Sequence, residues 1–358
     1  MPGRPADTAV LWAAVLGKNG ADGTFALQLF ASIASSLHVG DPAGDLAHVL
    51  ITFNGREDKA ERRSPRHVSC KALQSHLPGR ECRQLVVPAR PIGCTQGPAV
   101  LPAGGLSVIT LDDRNSTSQP LLRRLRTFSD LSNAYSGVST RPDLARGSSA
   151  IMNNLRFVAD ELLLPYGISR VLYLDADTCV RAPLSPLLQR DEHVVVAAER
   201  DKYSMLISTW TTRGRNISVH SAERRLIRRR WGFNSSQHQF NAGVLRLDLQ
   251  RWCRDKLFDR ITEVANYHAR VHRLFRWVGG SNQAFAEVAL VPYVHHVRRE
   301  WNCRPAMPGS ARKRCFIQHD TKCYQYVDST NTTEEVRPLA NKPASAPHHC
   351  SGGVLLST

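Results

Sequence analysis

Apolar runs alternate with helix-length segments along most of the chain. Five mostly apolar runs predict strands, at residues 8–16, 47–53, 106–113, 170–177 and 192–199. Residues 24–39 and 148–163 instead carry apolar side chains at helical spacing. Because strands that alternate with helices usually form a parallel sheet, the pattern predicts an α/β fold: a mostly parallel, Rossmann-like sheet with helices on both faces.

Two segments break this rhythm. Residues 56–105 are rich in Pro, Gly, Arg and Cys, which predicts a long insertion with a short helix over 69–77. Residues 326–358 are polar and Pro-rich, which is typical of a flexible tail. The pattern therefore predicts a single domain over residues 1–325, followed by that tail.

Composition narrows the classes of partner. The chain has 358 residues, 42% of them hydrophobic, and a net charge of +16. The positive charge favours anionic partners such as nucleotides, although solvated helix faces explain runs such as residues 224–230 equally well. Zinc-finger spacing and aromatic-glycine RNA signatures are lacking, so we expect no nucleic-acid partner. Since no apolar stretch reaches about 18 residues, this chain is predicted to have no membrane span.

The cysteines and the glycosylation sequons point to an oxidising compartment. The nine cysteines form no CxxC pair, and several cluster between residues 70 and 94 and between residues 303 and 323. Clustering in loops favours disulfides. Sequons stand at Asn115, Asn216, Asn234 and Asn331. We expect a glycoprotein of the Golgi or another secretory lumen, with an N-terminal anchor absent from this chain; a cytoplasmic location is the alternative.

The stretch 170-RVLYLDADTCV-180 ends an apolar run with two acids, Asp175 and Asp177. An acid after a strand is commonly a turn or cap residue. Two neighbouring carboxylates at the end of a buried run, however, repel each other unless a cation lies between them. Ligands of α/β sheets bind beyond the carboxyl ends of the strands. The pair therefore favours a divalent metal that carries substrate phosphates.

Two chemistries use such a pair. In phosphatases of the haloacid-dehalogenase type, DxDxT presents a nucleophilic aspartate, here Asp175, and this sequence reads Asp-Ala-Asp-Thr, with Thr178 one position earlier than the Thr of that pattern. Those enzymes also need a later Gly-Asp-x-x-x-Asp loop, which is lacking, and they carry the motif on their first strand. The other chemistry is the DxD motif of nucleotide-sugar glycosyltransferases, in which the acids hold the metal that binds the donor diphosphate.

The stretch 240-FNAGVLRLDLQRW-252 separates these alternatives. It predicts a strand followed by a helix that starts at Asp248. Asn241 and Gly243 stand where the chain would pass close to a ligand. An ordinary buried strand explains the apolar residues but leaves Phe-Asn-Ala-Gly unexplained.

With these motifs the sequence resembles glycosyltransferase family 8, the retaining group that includes glycogenin, lipopolysaccharide galactosyltransferases and galacturonosyltransferases. The matching stretches are NNLRF (153–157), LYLDAD (172–177), FNAGV (240–244) with Trp252, and WN (301–302). The resemblance covers roughly residues 8–325. It implies a GT-A fold, a UDP-sugar donor, a bound Mn²⁺ or Mg²⁺, and retention of the anomeric configuration.

The resemblance also implies roles for individual residues at the donor site. Asp175, Asp177 and His319, in 316-FIQHDTKCY-324, match the metal ligands. Arg156, Asn154 and Gly243 join the two acids as donor-binding residues. Lys322 stands where the family has Gly, and we expect it to reach the donor phosphates by another route.

Other matching positions concern catalysis. Asn241 is expected to contact the donor sugar or the acceptor. Gln283 is expected to support the developing charge or to orient the acceptor, and Asn282 stands where the family often has Asp. Retention in this family is often explained without an enzyme nucleophile. A catalytically inactive GT-A domain that acts as a binding scaffold is the alternative function.

The acceptor is the most open part of the prediction. A glycan, a glycoprotein or a lipid would each suit a transferase of hexoses or related sugars. Residues 200–238, rich in Arg and Trp, are expected to set acceptor specificity. A sugar ring could stack on Trp210 or Trp231 there, and a place in the core is the alternative for either residue.

Overall fold

The structure is a computed structural model of the 358-residue chain. It describes residues 5–14, 24–54, 70–77, 79–88, 93–133, 148–189, 192–199, 225, 228–232, 239–271, 283–303 and 315–319. The predicted tail lies outside the described residues, as do most of residues 200–238, Asn282 and Lys322.

An eight-stranded sheet forms the centre of the described structure, in the order β11-β9-β10-β7-β2-β3-β6-β4. Two short pairs, β1 with β5 and β8 with β12, lie outside it. The strands are β1 Pro5–Ala6, β2 Thr8–Ala14, β3 Ala47–Asn54, β4 Cys82–Leu85, β5 Leu101–Pro102, β6 Leu106–Asp112, β7 Arg170–Leu174, β8 Cys179–Val180, β9 Val195–Glu199, β10 Phe240–Asp248, β11 Val294–Val297 and β12 Ile317–Gln318.

The helices connect these strands. They are α1 Thr24–Ser35, α2 Cys70–His76, α3 Gln119–Asn133, α4 Ser148–Asn154, α5 Ala159–Leu163, α6 Ser185–Leu188, α7 Leu249–Arg254, α8 Leu257–Arg270 and α9 Gln283–Leu290. Asp248 begins α7 as expected, since its side chain accepts the N–H of Arg251. None of the helices in the described ranges is both long and apolar enough to span a bilayer.

The sheet is mostly parallel, as predicted. In it β2 pairs in parallel with β3 and β7, β6 with β3 and β4, and β9 with β11. Strand β10 differs, because it runs antiparallel to both β7 and β9. Its Phe-Asn-Ala-Gly start therefore lies beside the end of β7, where the two acids follow.

Both faces of the sheet are buried, which explains the continuous apolar runs of its strands. In β2, Leu11 packs into the cluster on one face, while Val10 and Trp12 pack into the cluster on the other. Because successive side chains of a strand point to opposite faces, a strand covered on both sides needs apolar residues throughout.

The predicted insertion takes part in the sheet. Its short helix is confirmed as α2, and its strand β4 pairs in parallel with β6 at the edge. A disulfide between Cys70 and Cys82 joins α2 to β4. Further disulfides join Cys94 to Cys253 and Cys303 to Cys315.

The helix predicted over 148–163 is divided into α4 and α5 by a 3₁₀ turn at Leu155–Val158. All four side chains of that turn are buried, including Arg156. Four consecutive residues point to all sides of a helical turn, so this turn is surrounded by the core and is not covered on one face only. This break brings a guanidinium into the interior, where it reaches the site described next.

Candidate active site

The two acids lie at the carboxyl end of β7, in a tight turn. The N–H of Asp175 donates to the carbonyl of Gly243 at 2.8 Å, which continues the pairing of β7 with β10. The N–H of Thr178 donates to the carbonyl of Asp175 at 3.1 Å and closes the turn. Strand β8 then begins at Cys179. The turn therefore places both carboxylates at the ligand-binding edge of the sheet.

His319 reaches the same place from the far end of the described chain. Strand β12 pairs antiparallel with β8, so the residue that follows β12 lies next to the turn of the acids. The N–H of His319 donates to the carbonyl of Cys303 at 2.6 Å. The disulfide between Cys303 and Cys315 lies beside this segment, and Cys179 is also disulfide-bonded. Both ligand segments are thus held by strand pairing and covalent links.

The three predicted metal ligands form one cluster. His319 Nε2 lies 3.2 Å from Asp177 Oδ1 and 3.5 Å from Asp175 Oδ2. One ligand atom from each residue lies within 4.8 Å of the other two. Both acid side chains remain partly exposed, at 28% and 34%, whereas His319 is buried at 4%. The site is therefore open on the side of the carboxylates.

The chemistry of these donor atoms fits a divalent cation. His319 Nδ1 lies 2.8 Å from Asn302 Oδ1, and because an amide oxygen can only accept, Nδ1 carries the ring proton. In the neutral ring the lone pair of Nε2 then faces two carboxylate oxygens. Such an arrangement is repulsive by itself, and a cation with nitrogen and oxygen ligands relieves the repulsion.

Gly243 allows the cluster to close. A Cβ atom at this position would overlap Cε1 of His319 and the carboxylate of Asp175. The Gly243 N–H donates to Asn241 Oδ1 at 2.8 Å. Because any side chain would separate two of the predicted metal ligands, glycine is required here by the close approach of His319 and Asp175.

The other oxygen of Asp175 is held from inside the protein. Tyr173 OH donates to Oδ1 at 2.8 Å, and Arg156 Nη1 lies 3.4 Å from the same atom. Burial and the neighbouring charge of Asp175 raise the pKa of Tyr173 well above its usual value, so the phenol stays protonated. These contacts leave Oδ2 of Asp175 directed toward His319 and Asp177.

Arg156 links the acids to β10. Its Nη1 also donates to the carbonyl of Ala242 at 2.6 Å, and its guanidinium lies 5.0 Å from the ring centroid of Tyr173. Trp252, from the sequence motif, donates its indole N–H to the carbonyl of Phe157 at 3.2 Å. That bond fixes the 3₁₀ turn that carries Arg156. Asn154, the last residue of α4, is fully buried just before this turn.

Gln283 and Asn241 both hold the first residues of β10. Gln283 Oε1 accepts the N–H of Ala242 at 3.3 Å, and Nε2 donates to the carbonyl of Phe240 at 2.6 Å and to Glu287 Oε1 at 2.7 Å. The side-chain amide of Gln283 is therefore engaged within the chain. The roles predicted for these two residues in catalysis stay predictions.

The remaining expectations concern Trp231, Trp210, Asn282 and Lys322. Trp231 is fully buried and packs edge-on against Tyr267, so it belongs to the core and offers no exposed face to a sugar ring. Lys322, Asn282 and Trp210 lie outside the described residues.

Two residues of the site were not assigned a role from the sequence. Asn302 was part of the Trp-Asn motif, and its contact with His319 gives that motif a physical reason. Tyr173 lies within the apolar run of β7, where no sequence signal distinguishes its phenol from a core side chain.

The chain was also compared with known proteins. Residues 128–327 match the model of glycosyl transferase family 8. No curated protein sequence matches the chain. Similar solved structures include mouse xyloside xylosyltransferase 1 in its apo form, with 14% identity, coverage of 88% of this chain and 97% of that one, and a TM-score of 0.49. Another is the galactosyltransferase LgtC in complex with donor and acceptor sugar analogues, with 17% identity, coverage of 87% and 86%, and a TM-score of 0.47.

The residues matched by the family model contain the candidate active site. The matched residues include the two acids, the Phe-Asn-Ala-Gly strand and His319. The mostly parallel sheet with the acids at its carboxyl edge is the predicted α/β GT-A fold. Both structural similarities have TM-scores below 0.5, so the assignment rests on the sequence match. Because that match spans more than half of the 358 residues, the chain belongs to glycosyltransferase family 8.

Proposed function

We propose that the chain is a metal-dependent, retaining glycosyltransferase that moves a hexose or a related sugar from a UDP-sugar donor to an acceptor glycan, glycoprotein or lipid. The observation that carries this proposal is the cluster of Asp175, Asp177 and His319. When bound there, a divalent cation would neutralise the donor diphosphate as it leaves. A ring nitrogen among the ligands favours Mn²⁺ over Mg²⁺, which prefers oxygen ligands.

The charges of the site support a cation that carries a diphosphate. Two carboxylates and the guanidinium of Arg156 leave one net negative charge when His319 is neutral. A divalent cation reverses that to one net positive charge, which attracts the donor diphosphate. Asn154, Gly243 and Lys322 remain proposed contacts of the donor.

The beginning of β10 is the proposed position of the reacting sugar. Gln283 and Asn241 fix this backbone through the N–H groups of Ala242 and Gly243. We assign both residues to the support of the sugar and the orientation of the acceptor. No enzyme carboxylate is needed as a nucleophile when the acceptor attacks on the face from which the diphosphate departs.

The first experiment tests turnover. The purified protein is incubated with a panel of UDP-sugars and Mn²⁺, and released UDP is measured beside an Asp177→Asn variant. We expect turnover of one donor, abolished by chelation and at least about a hundredfold lower in the variant. Asp130→Asn, which changes an exposed helix residue, is the matched control and should keep full activity.

Other outcomes would change the proposal. UDP binding that depends on metal, without turnover of any donor or acceptor, would indicate a binding scaffold. Absence of both binding and turnover, with phosphate released from small phosphoesters, would return Asp175 to the role of a phosphatase nucleophile.

We further propose that the protein belongs to a secretory lumen such as the Golgi. The disulfides of the described chain are typical of an oxidising compartment. The sequon residue Asn115 is exposed in a turn before α3. Treatment of the native protein with a glycosidase should shift its mobility, and Asn115→Gln should remove part of that shift. Free thiols at all of the disulfide-bonded cysteines of the described chain would contradict the proposal.

A further inference from the structure

Thr178 was named above only for the phosphatase alternative, and the proposed transfer gives it no role. In the structure it is completely buried in the turn of the two acids. Its hydroxyl donates to the carbonyl of Asp175 at 2.8 Å. Both backbone groups of Asp175 are therefore fixed, the N–H by Gly243 and the carbonyl by Thr178. The direction of the Asp175 side chain depends on these two bonds.

The Thr178 hydroxyl is itself the end of a buried chain of hydrogen bonds. Its oxygen lies 3.1 Å from Ser32 Oγ, and Ser32 accepts the indole N–H of Trp12 at 3.0 Å. An indole N–H can only donate, and Thr178 uses its proton on Asp175. The Ser32 hydroxyl must therefore donate to Thr178. The hydrogen bonds thus run in one direction, from Trp12 through Ser32 and Thr178 to the carbonyl of Asp175.

The three side chains come from separate elements, and all are fully buried. Trp12 lies on β2, Ser32 on α1, and Thr178 in the turn of the acids. Ser35, one turn after Ser32, accepts the N–H of Val180 at 3.0 Å. Helix α1 thus contacts the turn of the acids at Thr178 and strand β8 at Val180.

We infer that Ser32 and Thr178 are positioning residues of the metal site. They contact neither the cation nor the substrate. They fix the turn that sets the separation of Asp175 and Asp177 from His319. This inference rests on the proposed function, because it assumes that the three ligands bind a divalent cation. Partners that orient metal ligands commonly change metal affinity by about 10- to 100-fold when they are lost.

The test compares Thr178→Val, which removes only the hydroxyl, with Thr178→Ser, which keeps it. Mn²⁺ binding is measured through the loss of the electron paramagnetic resonance signal of the free ion, with equimolar UDP and a protein-free blank. We expect the Kd of Mn²⁺ to rise about tenfold in Thr178→Val and less than about threefold in Thr178→Ser. Ser32→Ala is the second variant and should also raise the Kd, in case the valine variant does not fold.

Thr8→Val serves as the matched control, because Thr8 is the first residue of β2 and pairs with the start of β7, at the end of the strands away from the acids. Its Kd should equal that of the unchanged protein. Thermal melting separates the roles, since a purely structural hydroxyl would lower Tm and leave the Kd unchanged. That result in both Thr178→Val and Ser32→Ala would overturn the inference alone. Failure of the unchanged protein to bind Mn²⁺ would overturn the proposed metal site and this inference together.

Discussion

Two acid–histidine clusters lie at opposite edges of the same sheet. Asp41 and His48 meet where β3 begins, with Asp41 Oδ2 at 3.3 Å from His48 Nε2. Asp175, Asp177 and His319 meet where β7 ends. In the first cluster both side chains are almost fully buried, while in the second the carboxylates are partly open to solvent. The two clusters share their residue types and differ in what satisfies the carboxylate.

The carboxylate of Asp41 is satisfied by its own chain. It accepts the N–H groups of Asp45 at 2.9 Å and Leu46 at 3.0 Å, beside its contact with His48. One oxygen of Asp175 is likewise held by Tyr173 and Arg156, but its other oxygen and Asp177 Oδ1 converge on His319 Nε2. An acid whose oxygens are filled by nearby backbone N–H groups has a structural explanation, whereas two acids that converge with one histidine are candidate metal ligands.

The largest expected effect concerns the cluster of Asp175, Asp177 and His319, which is the open cluster. Gly243→Ala places a methyl group where His319 and the Asp175 carboxylate now lie. We expect Mn²⁺ affinity and sugar transfer each to fall at least about a hundredfold, because two of the three ligands must separate. Metal titration and released UDP are the measurements, with a thermal melt to show that the variant is folded. Unchanged Mn²⁺ affinity would show that His319 and Asp175 can move apart without loss of binding, which would contradict this prediction.

A change in the pair of Asp41 and His48, the closed cluster, should instead lower stability and leave Mn²⁺ affinity nearly unchanged. Asp41→Ala leaves two backbone N–H groups and His48 without their acceptor, so the free energy of unfolding should fall by about 2–4 kcal/mol. The Kd of Mn²⁺ should stay within about twofold. Urea denaturation measures the first quantity, with Asp130→Ala on the exposed face of α3 as the control. A strong loss of Mn²⁺ binding in a folded Asp41→Ala protein would break the distinction between the clusters.

Asn302 sharpens the comparison, because it sets which nitrogen of His319 faces the acids. Asn302→Leu removes the acceptor of the Nδ1 proton, and we expect a loss of Mn²⁺ affinity of about tenfold. Asn302→Asp keeps an acceptor and should lose much less. Equal losses in both variants would argue that Asn302 acts only through packing.

The smallest effect is a pH dependence of the closed cluster. Burial lowers the pKa of His48, and the nearby charge of Arg80 adds to this, against the opposing effect of Asp41. The unfolded chain therefore binds this proton more readily than the folded protein does. Stability from His48 should be complete above about pH 6.5 and should decline as the pH falls, by at most about 1.4 kcal/mol per unit. Urea denaturation at several pH values measures it, and an identical slope in His48→Gln would contradict the assignment.

The sequence predicted the residues that carry local signals. The acids end an apolar run, His319 follows another, and the structure brings all three together. The strand over 240–248 was also predicted, but its antiparallel direction was not, because direction depends on the residues between strands. Strand β4 was missed since its four residues are mostly polar or exposed, as suits an edge strand.

Three other residues were left unassigned because their contacts carry no sequence motif. Ser32, Tyr173 and Asp41 are ordinary residues in their own segments. Ser32 acquires its role from Thr178, which only the fold brings near. Tyr173 meets Asp175 because alternate residues of an extended segment share a face, and Asp41 is held by the turn that follows it. Spacing alone cannot distinguish such residues from the many serines, tyrosines and aspartates that face solvent or fill a core.

The late position of His319 has a consequence for the assembly of the protein during synthesis. The two acids lie in the turn after β7, which leaves the ribosome well before β12, so the growing chain holds an incomplete site until its last described segment emerges. Strand β12 and the link from Cys303 to Cys315 then complete it. A chain that ends prematurely before residue 315 would keep the central sheet but lack a ligand. Binding of a cation by all three residues would therefore report that synthesis had passed His319.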